Sequence, residues 1–168
     1  MKYLLSLFLI SIVFIGCSYK PSSYYAKPAI VGKVYVDLDV DIENAQNSVY
    51  VKDATNEMIL NQFNNSLTDK KEEADTLVSV LLSSVNHKSL STDEDGYTKS
   101  YRTSVTIKMT YQKIGEDKKR LTVSDYYDYQ VDTDSVVTDQ KKKLAVKEAS
   151  TRALSKLFSK IAVYNMKD

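Results

Sequence analysis

Few residues of this chain could carry out covalent chemistry. Its 168 residues include one cysteine, Cys17, and one histidine, His87. A single cysteine excludes a Cys-rich zinc site, and a single histidine excludes a multi-histidine metal centre and leaves little from which to build a nucleophilic triad. The sequence contains no G-x-S-x-G turn, glycine-rich phosphate loop or H-E-x-x-H helix. We therefore predict no catalytic residues, no metal site and no enzymatic activity, and we expect His87 to be a solvated loop residue.

The chemically distinctive position is Cys17, which ends an apolar N-terminal run. Lys2 precedes this run, which is shorter than the roughly 20 residues that a membrane-spanning helix needs. A positive residue before a short apolar segment is typical of a secretory signal peptide. Gly16 directly before Cys17 resembles a bacterial lipobox, although Phe14 replaces its usual leucine. We predict a signal peptide over residues 1–16 and a lipid on Cys17; the alternative is a short buried helix that contains the cysteine.

Lipidation of Cys17 would fix the protein to a membrane. Each buried methylene contributes about 0.8 kcal/mol, so two or three long acyl chains such as palmitate anchor a protein almost irreversibly. Ser18, rather than an aspartate, follows the cysteine. In bacterial lipoproteins that choice implies sorting to the outer membrane. The covalent lipid is the only non-protein group that the sequence indicates, and we expect no other cofactor.

Charge and composition limit the classes of function that the chain could have. The 23 basic and 22 acidic residues give a formal net charge of +1, whereas nucleic-acid-binding domains carry a basic excess. We therefore expect no nucleic-acid partner. Residues 17–32 hold both prolines, Pro21 and Pro28, and are predicted to form an extended tether. The length suggests one domain, which we place over residues 33–168.

Hydrophobic periodicity predicts the element order β-α-β-β-β-α. Strict alternation over residues 33–42 indicates a strand, and helical spacing indicates a helix over residues 48–65. Three more strands and a final helix follow, over residues 76–86, 97–113, 120–131 and 138–163. The fold class is α+β: a two-layer sandwich in which a four-stranded, mostly antiparallel sheet carries both helices on one face.

The same periodicity predicts the core. The first strand should bury alternate residues as far as Val40 and Ile42, and the last helix should bury Leu144 beside Val146 and Leu157. The opposite sheet face is rich in Thr, Ser, Asp, Tyr, Arg and Lys. It would therefore be open to solvent or to a partner.

Two basic clusters have two interpretations each. One surrounds the last predicted turn and the other recurs every four residues on the last helix: Lys113, Lys118, Lys119 and Arg120, and then Arg152, Lys156 and Lys160. A solvated surface is the simpler interpretation, and contact with lipid phosphates, which lysine and arginine bind well, is the alternative. The tyrosine-rich strand faces leave a similar choice between core and interface.

Five short segments, set in this element order, carry a resemblance to a known family. They are Cys17-Ser18-Tyr19-Lys20, Asp53-Ala54-Thr55-Asn56-Glu57, Asp95-Gly96, the alternating strand from Tyr101 to Ile107, and Ala145-Val146-Lys147-Glu148-Ala149. On these segments the chain resembles the LptE family of lipopolysaccharide-assembly lipoproteins. The resemblance covers nearly the whole mature chain, and the Ser22–Ala26 segment departs from it.

The resemblance implies an assembly role without catalysis. LptE proteins plug the β-barrel protein LptD, and the pair inserts lipopolysaccharide into the outer leaflet of the outer membrane. By this resemblance the domain would be lipid-anchored to the outer membrane and lie on its periplasmic side, within the LptD barrel. The alternative is another outer-membrane lipoprotein, structural or peptidoglycan-associated.

The residues that contact lipopolysaccharide do not follow from the resemblance. Better-known relatives use basic loop residues, but here Asp93, Glu94 and Asp95 make the first hairpin tip acidic. The candidates that remain are three basic residues at the other tip: Lys118, Lys119 and Arg120.

Overall fold

A five-stranded sheet with two long helices on one face forms the body of the protein. The computed structural model describes residues 21–92, 94, 96–131 and 137–165, so the predicted signal peptide and Cys17 lie outside the described residues. In chain order the elements are α1 (Ser22–Ala26), β1 (Lys33–Asp39), α2 (Ala45–Met58, extended by a π-helical turn at Ile59–Phe63), β2 (Ser66–Leu67), β3 (Thr76–Thr92), β4 (Thr98–Lys113), β5 (Lys119–Gln130) and α3 (Asp139–Asn165).

The sheet is mixed, with the strand order β2-β1-β3-β4-β5. β3, β4 and β5 form the expected antiparallel meander. β1, however, pairs parallel with both β2 and β3, because α2 carries the chain back to the end of the sheet at which β1 began. The prediction of four mostly antiparallel strands was therefore wrong in two respects. β2 is two residues long, which is too short for a period-2 pattern to appear in the sequence.

The core lies between the helices and one face of the sheet. Alternate residues of the strands are buried there while their neighbours are more exposed, as period-2 alternation requires. The central strands and α3 supply most of the large, fully buried side chains: Val78, Val80, Leu82, Ile107, Met109, Leu154, Leu157 and Ile161. α2 packs beside α3, where the rings of Phe63 and Phe158 meet edge to face with centroids 5.0 Å apart. Both helices therefore cover the same face, as predicted.

β1 ends earlier than its sequence pattern suggests. Val40 is 54% exposed and Ile42 is 93% exposed, so the prediction that both are buried was wrong. The carboxylate of Asp41 accepts a hydrogen bond from the backbone N–H of Glu43, at 3.1 Å. This bond begins a 3-10 turn over Ile42–Asn44. The local cap thus ends a strand that hydrophobic alternation alone would continue.

The segment before β1 is folded rather than extended from Ser22 onward. α1 and a 3-10 turn at Lys27–Ala29 occupy it. Ala26 and Ile30 are fully buried, and the side-chain amide of Asn165 donates to the backbone oxygen of Tyr25, at 3.1 Å. The prediction of an extended tether is therefore corrected for these residues. Their apolar side chains cover the C-terminal end of α3, a contact that no local pattern reveals.

The helix predictions hold closely, with one exception on the surface. Asn64 adopts the left-handed conformation (φ 57°) that ends α2. α3 buries Val146 and Leu157 as expected, but Leu144 is 53% exposed and its predicted burial was wrong. In the described part of the chain, none of the helices combines the length and hydropathy needed to span a bilayer.

Leu157 and Leu144 provide a matched test of how α3 faces the sheet. Leu157→Ala removes a fully buried side chain and should lower the free energy of unfolding by about 2–5 kcal/mol. Leu144→Ala, on the exposed side of the same helix, should change it by about 0.5 kcal/mol or less. Urea denaturation followed by circular dichroism measures both values, and equal losses would contradict this orientation.

Candidate functional site

The sheet face opposite the two long helices carries mainly polar side chains. We call it the open face. It carries the strand residues that alternate with the core, and Leu77 and Leu81 of β3 are its apolar members. The others are mainly polar and include Tyr35, Asp37, Asp39, Ser79, Arg102, Ser104, Thr106, Lys108, Thr110, Arg120, Thr122, Ser124, Tyr126 and Asp128. The predicted polar face is thus confirmed.

Cross-strand hydrogen bonds hold the open face in one arrangement. Arg102 and Asp128 lie directly opposite each other on β4 and β5, and the guanidinium donates from Nε and Nη2 to the two carboxylate oxygens, each at 2.7 Å. This bidentate bond is the main reason that the pKa of Asp128 lies below its usual value. The guanidinium also stacks over the ring of Tyr126, 3.7 Å from its centroid. These contacts hold the three side chains in one arrangement.

Two further bonds extend this order across the sheet. The hydroxyls of Thr106 and Ser124 lie 3.0 Å apart on β4 and β5. At the other side of the sheet, the Ser79 hydroxyl donates to the carboxylate of Asp39, at 3.1 Å. The open face consequently presents paired polar groups from β1 to β5.

The basic stripe on α3 lies against the outer edge of β5. The Lys160 ammonium donates to the backbone oxygen of Thr122, at 2.7 Å, and the Arg152 guanidinium donates to that of Tyr126, at 3.5 Å. Between them, Lys156 pairs with the mostly buried carboxylate of Asp125, at 3.0 Å. The eight residues from Arg152 to Lys160 rise about 12 Å along the helix, and the four residues from Thr122 to Tyr126 span about 13 Å along the strand. The spacing of the basic residues on α3 therefore matches the spacing of the oxygens that they contact on β5.

The sequence left open whether the basic stripe is a solvated surface or a site that binds lipid phosphates. The three side chains of the stripe are exposed, as the solvated interpretation predicts, and each also contacts β5. Edge strands expose unpaired backbone groups that invite other strands, and lysine near the edge is one way in which proteins prevent such pairing. The spacing of the stripe is visible in the sequence, but its position beside β5 is not.

The tyrosines divide between core packing and surface. Tyr101, Tyr127 and Tyr129 form a stacked row on the helix-covered face, with centroids 5.8 Å and 6.5 Å apart. Burial raises the pKa of the Tyr129 phenol. Tyr126 and Tyr97 are 42% and 66% exposed. The stacked row is thus a packing feature, whereas Tyr126 belongs to the open face.

The basic residues of the last turn separate onto two surfaces. Arg120 lies opposite Thr110 on the open face. Lys118 lines an open-face cleft of about 170 Å³ together with Tyr35, Lys71 and Thr110. Lys119 is on the other side, with its ammonium 5.0 Å from the ring centroid of Tyr164 at the end of α3. The structure therefore brings Lys118 and Arg120 to one face and directs Lys119 elsewhere.

Most of the chain matches a known protein family. The family model of LptE, described as Lipopolysaccharide-assembly, matches residues 35–161. The chain belongs to the LptE family. A comparison with curated proteins finds no match.

Two solved structures share the fold of this LptE chain. The rare lipoprotein B from Shewanella oneidensis has a TM-score of 0.53 and 15% sequence identity, covering 80% of this chain and 97% of its own. An uncharacterized lipoprotein B from Nitrosomonas europaea has a TM-score of 0.52 and 9% identity, covering 80% of this chain and 84% of its own.

LptE is a family of lipopolysaccharide-assembly proteins. The single histidine of this chain, His87, contacts the neighbouring strand. His87 lies on β3, not in the loop that we expected, and its Nδ1 is 2.7 Å from the hydroxyl of the buried Thr103. Burial, and then the positive charge of Lys142, lower the pKa of the imidazole. In the described ranges, no group of three or more His, Cys, Asp or Glu side chains is placed to hold a metal ion.

Proposed function

We propose that this chain is an outer-membrane lipoprotein that plugs an LptD-type β-barrel and supports insertion of lipopolysaccharide into the outer leaflet. The observation that carries the proposal is the LptE family match, which spans β1 to the last turns of α3. The polar open face supports it physically, because the lumen of a membrane β-barrel is polar and is commonly filled by a plug.

The proposed anchor is a lipid on Cys17. The apolar run, the Gly16-Cys17 pair and the Ser18 that follows support both the lipid and the outer membrane as its destination. The lipid would hold the domain on the periplasmic side, where it can enter the barrel.

Replacing the proposed lipid-bearing cysteine tests the anchor. In cells fed a radioactive fatty acid, the wild-type chain should be labelled and the Cys17→Ser precursor should not, because no other residue of the sequence is a cysteine. Immunoprecipitation followed by autoradiography measures the label. Equal labelling of the two chains would refute a lipid on this residue.

Contact with the barrel is proposed to use side chains rather than strand pairing. The basic stripe of α3 contacts the β5 edge and engages two of its backbone oxygens, which disfavours pairing of that edge with a strand of a partner. The open face instead presents hydroxyl, carboxylate and guanidinium groups in a fixed arrangement. A polar lumen wall can match such groups by hydrogen bonding.

Two exposed serines test which surface meets the barrel. Ser124→Lys places a long charged side chain on the open face, and Ser155→Lys places the same side chain on the outer surface of α3. Only the open-face variant should reduce recovery of the barrel protein through a C-terminal tag, since it alone obstructs the proposed contact. Capture followed by mass spectrometry measures recovery.

The outcomes of this capture distinguish the alternatives. Loss with Ser155→Lys alone would move the contact surface to the helices. Recovery of murein-linked proteins in place of a barrel would favour a peptidoglycan-associated lipoprotein.

We also propose that Lys118 and Arg120 contact phosphate groups of lipopolysaccharide. Both lie on the open face, and Lys118 borders the cleft that Lys71 also lines. Lysine and arginine bind phosphate through charge-assisted hydrogen bonds. Lys119, the third sequence candidate, is directed toward Tyr164 and would act elsewhere.

A pair of double variants tests this contact. Lys118→Ala with Arg120→Ala should weaken binding of purified lipopolysaccharide about tenfold or more, because a hydrogen bond to a charged group contributes about 1.5–3 kcal/mol. Lys52→Ala with Lys147→Ala removes two exposed cations from the helices instead and should leave affinity unchanged. Equal weakening by the two pairs would indicate a non-specific charge effect.

A further inference from the structure

One end of the sandwich carries exposed apolar side chains beside a lysine. Tyr24 on α1 is 57% exposed, and Val163 and Tyr164 on the last turn of α3 are 54% and 45% exposed. Lys119 joins them, because it lies over the Tyr164 ring and lines a cleft of about 290 Å³ together with Tyr24. We call Tyr24, Lys119, Val163 and Tyr164 the anchor-end patch.

The patch lies within a short reach of the proposed lipid. The backbone N–H of Tyr24 donates to the oxygen of Pro21, at 2.9 Å, so Pro21 is at the patch. Cys17 is four residues earlier in the sequence, and an extended chain spans at most about 3.6 Å per residue, or about 14 Å for this segment. Acyl chains on Cys17 therefore keep this end of the domain close to the bilayer surface.

The two hairpins at opposite ends of β4 differ in charge. Next to the patch, the last hairpin carries Lys113, Lys118, Lys119 and Arg120 against Glu116 and Asp117. In the sequence, the segment that joins β3 to β4 at the far end of β4 contains Asp93, Glu94 and Asp95. β4 has 16 residues, so about 50 Å separate the two ends. Of these two hairpins, the one with the basic excess is therefore near the proposed lipid, and the acidic one is remote from it.

We propose that the anchor-end patch is a membrane-contact surface that rests on anionic phospholipid headgroups next to the acyl chains of Cys17. Tyrosine is favoured at membrane interfaces, where its ring and its hydroxyl meet different environments. Basic residues close to the surface are drawn to anionic lipids. The inference rests on the lipid anchor of the proposed function. It adds an orientation: the patch faces the leaflet and the acidic hairpin tip points away from it.

The absence of tryptophan from the sequence gives this inference a clean test. The lipidated full chain is reconstituted into vesicles of phosphatidylethanolamine and phosphatidylglycerol that contain a brominated phospholipid, which quenches tryptophan at the interface. Tyr164→Trp reports from the patch, and Tyr97→Trp, at the far hairpin, is the matched control. We expect a large loss of emission for Tyr164→Trp and little for Tyr97→Trp.

A charge variant and a flotation assay complete the design. Adding Lys119→Glu to Tyr164→Trp should reduce the quenching, and vesicles of phosphatidylcholine alone should do the same. If the lipidated chain floats with the vesicles but Tyr164→Trp is not quenched, or is quenched no more than Tyr97→Trp, the contact surface is refuted while the anchor stands. If the chain fails to float, the anchor itself is refuted, and the inference falls with it.

Discussion

The packing of α3 across β4 and β5 is the contact on which the rest of the molecule depends. The apolar stripe of the helix buries Leu154, Leu157 and Ile161 against the meander, and this burial is the dominant favourable term in folding. The same helix places its basic stripe on the β5 edge and its last turn under α1. One element therefore closes the core, protects the edge and receives the N-terminal segment.

This division of labour leaves the opposite side of the sheet free. Because α2 and α3 bury the apolar face of the sheet, the residues on the open face can be polar and exposed to solvent. Hydrogen bonds such as that between Thr106 and Ser124 order that face without a helix above it. This polar, ordered surface is the one that we propose to contact a barrel.

The sequence was most informative where a periodic pattern was long. β4, β5 and α3 begin and end within about two residues of their predicted bounds, because each repeats its apolar spacing several times. β3 continues to Thr92, six residues beyond its predicted end. The five-stranded mixed sheet was not predicted, since β2 has no period and the direction of β1 depends on the path of α2. Val40 continues an alternation that the Asp41 cap interrupts. The contacts between the basic stripe of α3 and β5 were not predicted, because they depend on how the helix packs beside the strand in the folded chain.

The docking of α1 into the core has a consequence for how this protein would meet its partner. With residues from Tyr25 onward packed into the domain, little slack remains between a lipid on Cys17 and the folded body. A long flexible linker would let the domain sample a deep volume, whereas a short one keeps it at high local concentration near the bilayer. With the proposed anchor and membrane-contact surface, encounter with a membrane-embedded protein would be a lateral search within a thin layer, and the body would have the same orientation at every collision.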